Sequence, residues 1–117
     1  MTTQMRVVPK QEWHDFLEQL TKDHEQDRVT IEVVGEEFGD QFEGTELSLD
    51  NIEYDHKDNV VVVAVGDRGE GSPVVLRHFV RDPEKVFFEP ELGHGVWALD
   101  LVSGDGSQTI VTALVQP

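Results

Sequence analysis

The chain has 117 residues, of which 38% are apolar, 28% are charged and none is cysteine, so it holds enough surface for one core and excludes disulfide frameworks, thiolate metal sites and cysteine nucleophiles. Its 24 acidic residues against 9 basic ones give a formal charge of −15 and a pI near 4.4, which disfavours nucleic acid as a partner because phosphate binding draws on Lys and Arg. No stretch approaches the ~18 apolar residues of a membrane span and the first ten residues lack the apolar run of a secretory signal, so one cytoplasmic domain over 1–117 is expected.

From Pro9 to His24, Trp13, Phe16, Leu17 and Leu20 recur at helical spacing and predict an amphipathic helix over 9–24 that buries this face. Pro9 suits the first turn, and Glu18 with Lys22 forms an i,i+4 pair. After Asp27 the period changes to two: Val29, Ile31 and Val33 predict a strand over 28–34. Gly35 to Gln41 reads as a loop, and strands follow over 42–50 and 52–56, with Gly44 placed as a bulge where the apolar parity shifts.

Lys57 to Asn59 is a turn, and the run from Val60 to Val65 predicts a central strand over 59–66 covered on both faces. Gly66 to Pro73 is a loop, then strands are expected over 74–81 and 85–89 about a tight turn at Asp82-Pro83. Pro90 to Gly95 reads as a linker. The end is a hairpin, 96–102 and 108–115 around Ser103 to Ser107, with Trp97, Leu99 and Leu101 on one face and Ile110, Thr112 and Leu114 sharing a parity on the return. Short connections forbid parallel crossovers. The expected fold is α+β: an N-terminal amphipathic helix packed on a strongly bent, mainly antiparallel sheet or small open barrel of about six to seven strands.

Catalytic signatures are absent from the pattern. The five histidines, His14, His24, His56, His78 and His94, form no HxH or HExxH spacing, and no serine stands in a GxSxG turn. The glycine-rich stretch 66–71 lacks both GxGxxG order and a GK[ST] ending, so no phosphate loop is expected and no cofactor is implied. Glu36, Glu37, Asp40 and Glu43 are weak candidates for a divalent cation, since hard oxygen ligands gather on a glycine-flanked segment; Asp50, Asn51, Glu53, Asp55, His56 and Asp58 form a second cluster. His78 shares its parity with Leu76 and Val80 and reads as a core or interface residue. Arg77, Arg81 and Lys85 form the one candidate anion patch, with Arg77, Phe79 and Arg81 alternating onto one strand face so that two guanidiniums flank a ring.

The helix followed by Arg28–Val34 and Phe42–Asp50 resembles the opening of a small Sm-like barrel. Val8-Pro9, Glu12-Trp13, Phe16-Leu17, Val29-Thr30-Ile31-Glu32-Val33 and His78-Phe79-Val80-Arg81-Asp82-Pro83 are together similar to a small bacterial family of domains of unknown function, over roughly residues 5 to 115. That resemblance implies a stand-alone cytoplasmic domain and assigns no catalytic or binding residue. The expectation is therefore a non-catalytic interaction or accessory domain, stress-related in role, with a protein partner of unknown identity and a salt-adapted acidic surface. Two alternatives stand beside it: an Sm-like nucleic-acid binder acting through Arg77, Arg81 and Lys85, and a small-molecule or divalent-ion binder. Homodimerisation is left open through 108–115, read as an edge strand.

Overall fold

A computed structural model describes residues 5–35, 39–67, 74–90 and 95–114, without the side chains of 39–46 and 114. Arg6–Val8 forms a short strand, β1. Pro9, extended at φ −61° and ψ 147°, then directs the chain into a single 3-10 turn over Lys10–Glu12 and the helix α1, Trp13–His24. Six of the seven following strands, β2 (Arg28–Gly35), β3 (Gly39–Asp55), β4 (Val60–Gly66), β5 (Val74–Arg81), β6 (Pro83–Glu89) and β7 (Val96–Ser103), lead to β8 (Gln108–Leu114). All pair antiparallel in one sheet of order β1-β6-β7-β8-β2-β3-β4-β5, which does not close.

The helix buries Trp13, Leu17, Leu20 and Thr21 and half-buries Phe16. Trp13 meets Tyr54 of β3 edge-on at 5.1 Å, Phe16 meets Phe88 of β6 at 5.2 Å, and the His24 ring lies 4.9 Å from Trp97 of β7. One helix therefore bridges both halves of a bent sheet. Its buried polar atoms are matched: the Trp13 indole N–H donates to the Val8 carbonyl at 2.8 Å. The Thr21 hydroxyl accepts from the Ile52 N–H at 3.0 Å and has its own proton directed at the Leu17 carbonyl, 2.9 Å away. Gln26, at φ 72°, ends the helix, and the chain turns back so that Gln26 N–H and Asp27 C=O both bond Leu49.

Several expectations need correction. The sheet has eight strands among the described residues, above the six to seven expected: two segments merge into one strand, and β1, too short to show periodicity, adds another through its register with Val86, Phe87 and Phe88. The segments 42–50 and 52–56 are one strand, β3, whose first half pairs with β2 and second half with β4. Register shifts lie on either side of Gly44, where the bulge is expected, and between Leu49 and Asn51, and the latter reverses the inward parity from Leu49 to Ile52 and Tyr54. The loop read over Gly35 to Gln41 is mostly strand, since Gly35 pairs with Gly39; residues 36–38 lie outside the described residues. Asp82-Pro83 is a corner between strands that are not neighbours: Asp82 alone, at φ 51°, carries the chain from one end of the sheet to β6 near the other. Finally, β8 is not an edge. It lies between β7 and β2 and buries Thr109, Val111 and Ala113, while Ile110 is half-buried on the outer face. The predicted dimer through this strand therefore has no free edge to use.

Candidate functional site

The two ends of the sheet differ. β1 is an edge of three residues, whereas β5 offers an edge of eight that, among the described residues, pairs as a strand only with β4. Unpaired strand edges invite pairing with another chain, and proteins blunt them by shortening, proline or bulges. β1 is blunted by its length; β5 contains no proline between Val74 and Arg81, and its one register shift lies at its start, about Val75.

Alternation sorts the β5 side chains. Leu76, His78 and Val80 turn inward, and Val75, Arg77, Phe79 and Arg81 turn out. Val75 is 53% exposed and Phe79 47%, large values for apolar side chains on a strand. The Arg81 guanidinium lies 5.7 Å from the centre of the Phe79 ring, within cation–π range. Among the described residues neither Arg77 nor Arg81 makes an ion pair. The register explains this in a molecule so rich in carboxylates: Arg77 faces Ala64, Phe79 faces Val62 and Arg81 faces Val60, while Glu53 and Asp55 stand one strand further away on β3. Two strand spacings are about 10 Å. An apolar row on β4 thus separates the arginines from Glu53 and Asp55.

Beside this edge the bent sheet leaves an open cleft of about 270 Å³. His78 and Arg81 stand on one lip; Ser103, Asp105, Ser107 and Thr109 of the β7–β8 hairpin stand on the other. His78 Nε2 is 3.1 Å from the Thr109 hydroxyl, which ties the two lips together. Asp105 accepts from the Ser107 hydroxyl at 2.7 Å and its N–H at 2.9 Å, and these bonds hold its carboxyl below the usual range. Gly106, at φ +90°, completes the turn where a side chain would be strained. The Gly104 N–H donates to the Asp82 carbonyl at 2.8 Å and so fixes the corner against the hairpin. Thr109, the second residue of β8, is 4% exposed and its hydroxyl is engaged by His78.

The sequence matches a family of unknown function, DUF5335, over residues 4–116. The chain belongs to this family. An uncharacterized protein of Aquifex aeolicus (strain VF5) is 26% identical over 106 residues, covering 91% of this chain and 88% of that one. No solved structure matches.

In this DUF5335 member the structure joins two of the three arginine and lysine candidates. Arg77 and Arg81 share the outer face of β5; Lys85 lies past the Asp82 corner on β6, in register with Val102. Glu36 and Glu37 lie outside the described residues, as do the side chains of Asp40 and Glu43. Among the described residues no three His, Asp or Glu side chains converge as a metal site. Asp55 instead accepts from the Lys57 N–H at 3.0 Å in the turn. His14 pairs with Asp15, whose hydrogen bond raises its pKa.

One polar centre left no signal in the sequence. Asp27 Oδ2 accepts from the Trp97 indole N–H at 3.0 Å and lies 2.9 Å from His24 Nδ1. A carboxylate beside an imidazole has the look of an acid–base pair, yet its third member is a fully buried tryptophan, so the group clamps the end of α1 to β7. Seventy residues separate Asp27 from Trp97, a distance that no local pattern spans.

Proposed function

We propose that this chain is a non-catalytic, cytoplasmic interaction domain that holds a protein partner along the free edge of β5, on a body whose acidic surface is adapted to high salt. The observation that carries this reading is the outer row of β5, two exposed apolar side chains alternating with two arginines that make no ion pair among the described residues. Strand addition at such an edge takes its affinity from main-chain hydrogen bonds and its selectivity from alternate side chains. The cleft beside the edge supports binding over turnover, because the Ser107 and Thr109 hydroxyls serve hydrogen bonds within the turn and between the lips.

A photo-crosslinking amino acid in place of Phe79 tests the reading in the native host. The expected result is a discrete adduct with another protein, absent when the same group replaces Gln19 on the exposed face of α1, and lost in R77E/R81E. The same adducts from both positions, none from position 79, or turnover of a substrate in a broad panel would overturn it.

A further inference from the structure

The character of the β5 edge also defines what fits it. Resting on the reading of β5 as the binding edge, we infer that the partner is an acidic segment in extended conformation that adds as a ninth strand, with two carboxylates four residues apart and an apolar residue midway. Arg77 and Arg81 are four residues apart on one face, about 13 Å along a strand. A strand laid beside β5 presents alternate side chains to that face, so an acid, x, apolar, x, acid sequence sets its carboxylates against the two guanidiniums. The middle apolar residue then meets Phe79, which stands 47% exposed between them.

The opposite face of the added strand selects too. Its intervening residues turn towards the cleft of about 270 Å³ lined by Ser103, Ser107 and Thr109 hydroxyls and by the Asp105 carboxylate. Small polar side chains suit that volume, where Asp105 stands opposite His78 and Arg81.

The net charge of −15 does not prevent this. At physiological ionic strength the Debye length is about 8 Å, so the segment responds to the arginines it touches more than to acids elsewhere on the body. A second copy of this chain is a poorer occupant. When Phe79 lies opposite its twin in an antiparallel β5 pair, each Arg77 falls opposite an Arg81, and any register gathers four guanidiniums on one short ribbon.

Fluorescence anisotropy with labelled synthetic peptides on the full chain decides the matter. The first peptide carries a Glu-Thr-Val-Thr-Glu core. The second has the same composition with its glutamates three apart, so that they fall on opposite faces. Two further versions of the first are N-methylated on alternate residues, one in each frame, which removes either the donors facing β5 or those facing solvent. The expected result is saturable binding of the first peptide, weakened about tenfold or more by the altered spacing and by R77E/R81E, and abolished by N-methylation in one frame only.

Equal binding of both spacings, tolerance of both N-methylated frames, binding of single-stranded RNA in the peptide's place, or a concentration-dependent dimer that excludes the peptide would each overturn the assignment. If no acidic peptide binds while the crosslink from position 79 still forms, the acidic-strand inference falls and β5 remains an interaction edge. Loss of both results removes the interaction reading itself.

Discussion

Asp100 stands in the middle of β7 on the outer face, opposite Phe87 on one neighbouring strand and Ile110 on the other. That setting strips water from its carboxyl and raises its pKa, against the opposing pull of the Gln108 amide, whose nitrogen lies 3.0 Å away. A raised acid binds its proton more tightly in the folded chain than in the unfolded one. Stability therefore falls as pH rises from the ordinary carboxylate value through the raised one, and the cost of holding the ionised form is present at neutral pH. Asp100→Asn keeps the shape and an acceptor for Gln108 but removes the ionisation. At pH 7 the variant is expected to be more stable in urea unfolding, by less than about 1 kcal/mol because the site is only half-buried, with the difference vanishing below about pH 4. A variant less stable at pH 7, or an advantage that grows on acidification, contradicts this.

Among the elements, legibility followed the number of faces that were covered. The helix was readable because it has one apolar stripe, and β4 because its run of valines fits a strand buried on both sides, as Val61, Val63 and Val65 inward and Val60 and Ala64 outward now are. β3 was misread as two strands because bulges reverse its inward parity part-way, so that Leu49 and then Ile52 and Tyr54 face the core. β8 was misplaced because both of its faces carry apolar residues, and the parity of Ile110 and Leu114 drew attention from the smaller Val111 and Ala113 that the core takes. At the site, the shared face of Arg77, Phe79 and Arg81 was legible from alternation. That these residues line the long free edge was not, because strand order depends on the single-residue corner at Asp82 and on pairings distant in sequence.

On the scale of the whole molecule, charge and topology act separately. Twenty-four acids against nine bases make the body repel itself, and added salt shortens the range of that repulsion from about 8 Å at physiological strength to about 3 Å at 1 M. If the surface is adapted to salt, the urea midpoint rises steadily from low to molar potassium chloride; a midpoint that stays flat or falls removes that part of the proposal. Among the described residues topology leaves one long edge, which must be open in the free chain and occupied in use. Amide hydrogen exchange resolved along β5, first in buffer and then in extract from the native host, reads both states at once. The prediction is that alternate amides of Val74–Arg81 exchange fast in buffer and slow markedly in extract while the amides of α1 stay unchanged, whereas β5 amides already protected in buffer, or unaffected by extract, would contradict it.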